Sequence, residues 1–423
     1  MSSNNIRTIK PSGKIDFEVC VPPSKSYTNR ALITASLAKG DSTIKNASES
    51  DDTKYLISAL QKFGVKISKT ESGLRINGMN GSPKPPEESV FIGSAGTSMR
   101  FLTTFSALAP GKTIISGDER MNKRPIQGLI HALSLSGVEC FSSDGFPPIV
   151  VYGNEIRGGE ITINSEISSQ FISALLLVAP YARETMIINI TGRIISAPYV
   201  DMTVHTMRAF GAVVMRPSPN IFIVDNHQHY FGNEFYVEGD ASSATYFCAA
   251  AAITGGRVRI NNLGAETLQG DIKFLDILSK MGCYITKSSN WIEVRGGTLQ
   301  GQELNMRDIP DCVPTVAVTA AFAEKSTVIK NIPHLRYKES DRIEALATNL
   351  VKLGCEIETG NDWIKIIPKP LKGDAIETYN DHRIAMSFAI AGLKINGLQI
   401  ENPDCVSKSF PTFWKEFEKM EGK

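Results

Sequence analysis

A chain of 423 residues is too long for one ordinary hydrophobic core, so two or three domains are expected. Its 42% hydrophobic and 21% charged residues exclude a disordered or fibrous chain, and a net charge of +1 excludes a broad basic nucleic-acid-binding face while leaving room for a small cationic cleft. Seven scattered cysteines without a CxxC pair, and six histidines without HxxxH spacing, speak against a disulfide framework or a metal site.

The first 14 residues are polar and lack a signal-peptide apolar core. No stretch approaches the ~20 apolar residues of a membrane span. A cytoplasmic protein with no membrane partner is the expectation.

From Ser24 onward the chain repeats itself. Small, Ala-rich apolar helices are predicted after Ser24-Lys25-Ser26, Gly96-Thr97-Ser98, Ser168-Ser169-Gln170, Asp240-Ala241-Ser242-Ser243, Asp311 and Asp381-His382-Arg383. The steps between Ser24, Gly96, Ser168, Ser242, Asp311 and Asp381 are 72, 72, 74, 69 and 70 residues. A second series of amphipathic helices ends at Gly64, Gly137, Gly211, Gly282, Gly354 and Gly422, in steps of 73, 74, 71, 72 and 68. Each of the first five glycines precedes a β-rich run, such as Val65-Lys66-Ile67, Ala212-Val213-Val214 or Cys355-Glu356-Ile357. Two signals sharing one period imply six units, each with a buried helix, an amphipathic helix and strands between them. Six αβ units group as two lobes of three: residues 21–236, and residues 1–20 with 237–423. The crossovers fall near 20/21 and 236/237, and the N-terminal strand belongs with the C-terminal lobe.

The buried helices begin with Ser, Thr or Asp, which cap free backbone N–H groups, and several carry Lys or Arg alongside. Such helix starts also attract anions. Lys25, Ser26 and Arg30 read as an anion site or as a capped helix with two surface cations. Gly93-Ser94-Ala95-Gly96 lets backbone approach a phosphate, though it is neither a Walker A loop nor a Rossmann fingerprint. Arg124 is expected to open the helix Arg124-Pro125-Ile126, a cation set against the helix dipole. Ser168, Ser169 and Gln170 bring three hydrogen-bonding side chains into an apolar helix, more than a cap needs. Lys338-Glu339-Ser340-Asp341-Arg342 is a dense charge run before an amphipathic helix. Asp381-His382-Arg383 beside an apolar run is costly without partners. Asp311 lies in an apolar setting, as a cap or as a functional acid.

Nine segments together, SKSYTNRAL, GSAGTSMR, GDERMNKRP, SSQFISALL, VEGDASSATYF, IPDCVPT, KESDRIEA, TYNDHRIAM and SKSFP, resemble the 5-enolpyruvylshikimate-3-phosphate synthase family of enolpyruvyl transferases. The likeness runs from about Val21 to Phe413. It implies an α/β (α+β) fold, a two-lobed inside-out α/β barrel (prism) of six βαβαββ repeats joined by a double hinge. It implies a monomer that needs no metal or organic cofactor and works in chorismate and aromatic amino acid biosynthesis. The implied reaction adds the 5-hydroxyl of shikimate 3-phosphate to C2 of phosphoenolpyruvate, then expels phosphate from a tetrahedral intermediate.

By the resemblance, Lys25 touches both substrates. Ser26, Arg30, Ser168, Ser169, Gln170, Ser196, Tyr199 and Lys338 hold shikimate 3-phosphate. Gly96, Arg124, Gln170, Arg342, His382, Arg383 and Lys408 hold phosphoenolpyruvate. Asp311 and Glu339, with Lys25, are the acid/base groups, Asp311 taking the hydroxyl proton. Seven matched cations face substrates that bring roughly −5 to −6, given about −1.5 to −2 per phosphate monoester, so repulsion should hold the empty lobes apart.

The sequence departs from the family at three positions. Ser94 stands where Asn is usual and Phe101 where Pro is usual, with expected consequences for helix entry and for glyphosate-type inhibitors; His334 replaces an Asn. A transferase acting on UDP-N-acetylglucosamine is the nearest rival, but it carries a reactive Cys where Asp118–Lys123 has none. A non-catalytic anion-binding protein would not need Asp311, Glu339 and Lys25 together.

Overall fold

The computed structural model describes residues 5–164 and 166–422. The chain packs into two compact units: Pro23–Val237, called here the N unit, and the residues up to Pro22 together with those from Glu238 onward, the C unit. The chain passes from one to the other at Pro22/Pro23 and at Val237/Glu238.

Six helices form the centres of the units: α1 (Lys25–Leu37), α3 (Gly96–Ser106) and α5 (Ser169–Val178) in the N unit, and α7 (Ala241–Thr254), α9 (Val313–Ala320) and α11 (His382–Gly392) in the C unit. Every residue of α7, α9 and α11 is buried, as helices apolar on all sides should be. The alternating elements are α2 (Asp51–Lys62), α4 (Gln127–Leu135), α6 (Ala197–Ala209), α8 (Phe274–Lys280), α10 (Arg342–Lys352) and α12 (Phe413–Phe417). These bury one stripe each; α2, for example, buries Asp52, Thr53, Leu56, Ala59 and Leu60. After α2, α4, α6, α8 and α10 the glycines at 64, 137, 211, 282 and 354 all have φ between 80° and 108°, the left-handed conformation that a glycine adopts without a Cβ clash.

Each repeat builds one small sheet. In the second repeat, Val90–Phe91 pairs parallel with Gly111–Ser116, which pairs antiparallel with Phe146–Gly153, which pairs antiparallel with Glu139–Ser143. Four other sheets share this order, and in two of them the first strand comes from far along the chain. Glu234–Tyr236 completes the first repeat against Asp41–Lys45. Asp16–Val19 completes the fourth against Arg257–Ile260. The sixth repeat departs from the βαβαββ pattern: among the described residues its sheet has three strands, with Ile6–Thr8 antiparallel to Gln399–Glu401 in place of a hairpin. Each unit has one contiguous apolar core, formed around its three central helices.

Two local expectations are corrected. Arg124 does not open a helix; it is extended (φ −96°, ψ 120°), and α4 begins at Gln127. Pro125 is the reason, because a proline ring crowds the preceding residue out of the helical region. The run Ala212-Val213-Val214 does not begin a strand; pairing starts at Met215. The Gln228 side chain takes both the N–H and the C=O of Val213 (2.5 and 3.0 Å), so that backbone is already satisfied. Phe101 lies fully buried inside α3.

Candidate active site

Ten of the sequence-predicted site residues fall in the N unit, most of them in or beside the first turns of its helices. Ser24 and Ser168 cap α1 and α5 by accepting from the N–H groups of Tyr27 and Gln170. α3 has no such cap: Ala95 precedes Gly96, and the Arg124 guanidinium lies against Gly96 instead. A Cβ on residue 96 would stand 2.5–2.7 Å from Nη1, Nη2 and Cζ of Arg124, so the absence of a side chain makes room for that cation. Gln170 reaches from α5 to α3, its Nε2 donating to Thr97 Oγ1 (3.2 Å). Ser196 precedes α6 in a left-handed conformation (φ 54°), 6% exposed, without capping it.

Arg30 is buried in the middle of this group, 2% exposed. Its guanidinium donates to Thr203 Oγ1 (2.7 Å) and to the carbonyls of Ser26 and Tyr199 (both 2.9 Å), and it lies 5.4 Å over the Phe101 ring. All of these partners are neutral. Burial pushes the guanidinium down from 12.5 to about 10. Lys25 is different: its Nζ is 2.9 Å from Asp52 Oδ2, and both side chains are largely shielded.

The C unit collects the remaining residues into one charged cluster. Arg342, at the start of α10, is fully buried. Its Nη1 donates to Asp311 Oδ1 (3.0 Å) and its Nη2 to Glu339 Oε2 (2.9 Å). Its Nε donates to Asp381 Oδ2 (2.8 Å). Arg383 Nη2 donates to the other Asp311 oxygen (2.7 Å), and its Nη1 to the Tyr246 hydroxyl (3.2 Å). Lys408 Nζ stands 3.9 Å from Glu339 Oε1. His382 is buried, its Nδ1 3.6 Å from Asp381 Oδ1.

Asp311 is thus not a helix cap; it sits in the turn Pro310–Cys312 and gives both oxygens to arginines. Burial alone would push its carboxyl up, but Arg383, Lys338 and Arg342 outweigh it and hold the group well below the usual carboxylate range. Burial would lower the Arg342 pKa, but Asp381, Glu339 and Asp311 raise it above the ordinary value. Across this cluster four cations (Lys338, Arg342, Arg383, Lys408) meet three carboxylates (Asp311, Glu339, Asp381), a group suited to anions and to proton transfer.

Sequence reasoning passed over Asp52, Asp381 and Thr203 as partners. Asp52 reads as an ordinary helix-start acid, Asp381 stands out only as a charge costly to bury without naming its partner, and nothing in the sequence distinguishes Thr203 from other helical threonines. His334, left without a role, proves to be 4% exposed, with neither ring nitrogen in a hydrogen bond. Among the described residues, no group of three or more His, Cys, Asp or Glu is placed to hold a metal ion, and no helix is long and apolar enough to cross a membrane.

Comparison with known proteins follows the same lines. Residues 9–417 match the family described as EPSP synthase (3-phosphoshikimate 1-carboxyvinyltransferase). A 3-phosphoshikimate 1-carboxyvinyltransferase of Marinomonas sp. is 41% identical over 419 residues, spanning 98% of this chain and 99% of its own. One from Trichormus variabilis is 40% identical over 413 residues, covering 96% and 97%. The solved EPSP synthase of Acinetobacter baumannii superposes with a TM-score of 0.83 at 28% identity, over 99% of this chain and 98% of the other.

Proposed function

This chain belongs to the EPSP synthase (3-phosphoshikimate 1-carboxyvinyltransferase) family, and from that premise we propose that it transfers the enolpyruvyl group of phosphoenolpyruvate to the 5-hydroxyl of shikimate 3-phosphate, releasing phosphate. The observation that carries the catalytic reading is the fork of Arg342. One buried guanidinium holds two carboxylates, Asp311 and Glu339, on separate nitrogens, where one can accept a proton while the other gives one.

In the proposed reaction Asp311 takes the proton of the 5-hydroxyl as its oxygen bonds to C2 of phosphoenolpyruvate. Glu339, with Lys25, protonates the methylene carbon, which gives the tetrahedral intermediate. Loss of a proton from that carbon and cleavage of the C2–O bond then yield the enolpyruvyl ether and phosphate. Arg383 and Lys338 hold Asp311 ionised in the empty protein. Anionic substrates offset those cations and raise Asp311 toward the range in which a carboxylate is a useful base.

The binding roles follow the same reading. Ser26, Arg30, Ser168, Ser169, Gln170, Ser196, Tyr199 and Lys338 hold shikimate 3-phosphate. Gly96, Arg124, Gln170, Arg342, His382, Arg383 and Lys408 hold phosphoenolpyruvate. The two chain crossings serve as a double hinge, tested by small-angle scattering with and without both substrates. The enzyme works as a monomer, tested by sedimentation.

The deciding experiment is phosphate release from purified protein. Release only when phosphoenolpyruvate and shikimate 3-phosphate are both present, with the matching enolpyruvyl product, is expected. Release with UDP-N-acetylglucosamine instead would refute the acceptor assignment. No release with either acceptor would refute catalysis.

A further inference from the structure

The carboxylate at the centre of the C-unit cluster is neither of the two acid/base groups. Asp381 is fully buried, at the position just before α11. It receives four donors: Arg342 Nε (2.8 Å) and Nη2 (3.3 Å), the Ser340 hydroxyl (3.0 Å) and the Arg383 backbone N–H (2.9 Å). A helix cap needs the last of these alone. A guanidinium is a planar fork, so fixing its Nε side fixes where both Nη atoms point. In Arg342 those atoms point at Asp311 and at Glu339. Arg342 therefore separates the two carboxylates, and Asp381 is the group that keeps it square between them.

We propose that Asp381 is a positioning residue for the transfer reaction, holding Arg342 as a rigid divider that sets the places of Asp311 and Glu339. This rests on the proposed function. Its logic is geometric: carboxylates sharing one cation need the cation fixed if each is to stay within reach of its own substrate atom. Asp381 also caps the helix that carries Arg383, by accepting from the Arg383 backbone N–H. Other charged or titratable groups facing this cluster include Lys338, Lys408, Asp271, His334, His382, Tyr246, Cys312 and Cys405.

Asp381→Asn separates positioning from capping. The Asn side-chain oxygen can still accept from the Arg383 N–H, while its amide NH2 replaces an acceptor of Arg342 with a donor. The expected result is a fall in kcat of about 100-fold, the scale of an ångström-sized misplacement, with KM for shikimate 3-phosphate within threefold. In the ligand-free protein, 15N-arginine labelling should show an exchange-protected Arg342 Nε–H signal that the variant loses. That signal needs no activity, so it tests the positioning even if the proposed reaction fails.

An unchanged Arg342 signal, or a lost signal with unchanged kcat, overturns the proposal. If Asp381→Asn does not fold, Ser340→Ala removes one of the donors to Asp381 and keeps every charge. It should shift the Arg342 signal and lower kcat about threefold to tenfold, and no change in either overturns the proposal.

Discussion

Replacing Arg30 by Met should leave the empty protein nearly as stable as it was while removing most of its affinity for shikimate 3-phosphate. The guanidinium is buried with neutral partners alone, and burial lowers its pKa from 12.5 to about 10. At ~1.4 kcal/mol per pKa unit, the charge costs the folded state about 3 kcal/mol. Its sign is that of a base with a depressed folded pKa: the cost is fully present below pH 10 and relaxes only above it. Met has similar length and no charge, so that cost disappears. Against it stand four lost hydrogen bonds, to Thr203 Oγ1, to the carbonyls of Ser26 and Tyr199 and, at a long 3.5 Å, to Ser173 Oγ, each worth at most about 0.5–1.5 kcal/mol. The two sides nearly cancel, so urea unfolding of the ligand-free variant should shift by less than about 1.5 kcal/mol. Binding is the opposite case. A buried cation held ready for an anion contributes about 2–5 kcal/mol when its partner arrives, so calorimetry should show affinity down by 30-fold or more. A variant that unfolds easily yet binds normally would refute the reasoning, because Arg30 would then be a structural group.

Asp311→Asn keeps the shape and removes the proposed base; turnover should fall at least 100-fold with calorimetric binding of shikimate 3-phosphate retained, whereas equal loss of both would refute the role. Gly96→Ala places a methyl 2.5–2.7 Å from the Arg124 guanidinium, which must move; the KM for phosphoenolpyruvate should rise tenfold or more, while that for shikimate 3-phosphate stays within threefold. His334 lowers stability in acid: burial, then Lys338, hold its imidazole down at about 3, so between pH 6.5 and 3 the unfolded chain takes up a proton that the folded one refuses. His334→Leu should therefore lose less stability than the parent between pH 7 and pH 4, by about 2–3 kcal/mol, in urea titrations at the two pH values; equal losses would show that the imidazole is protonated in place.

The repeat was legible because it rests on local chemistry. A glycine past a helix end and a polar residue before an apolar helix mark boundaries wherever they occur, and their shared period needs no tertiary information. The swapped strands were only partly legible, because three-residue Glu234–Tyr236 carries no mark of its distant partner Asp41–Lys45. The missing hairpin of the sixth repeat was hidden for the same reason, since Ile6–Thr8 completes its sheet from the other end of the chain. Arg124 misled because Pro after a cation looks like a first helical turn, whereas the same ring holds Arg124 extended.

The site divides along the same line. Cations were visible from sequence because they recur beside helix starts, but their pairing was not, since Asp52 looks like any acid near a helix start and Asp381, though conspicuous beside an apolar run, does not name its partner. That matters for the charge balance. Seven cations without their anionic substrates suggested strong repulsion in the empty protein. Asp52 and Asp381, together with Asp311 and Glu339, supply counter-charges to several of these cations. Lys25 has Asp52, and the C-unit cluster is one charge from neutral. Among the described residues, the acceptors of Arg30 are all neutral. An anion binding at Arg30 would therefore meet a cation that no protein carboxylate competes for, whereas one binding at Arg342 must displace or share Asp311, Glu339 and Asp381. Under the proposed site assignment, shikimate 3-phosphate should therefore bind the protein without phosphoenolpyruvate, and calorimetry with each substrate alone checks this; no binding of shikimate 3-phosphate alone would refute the argument.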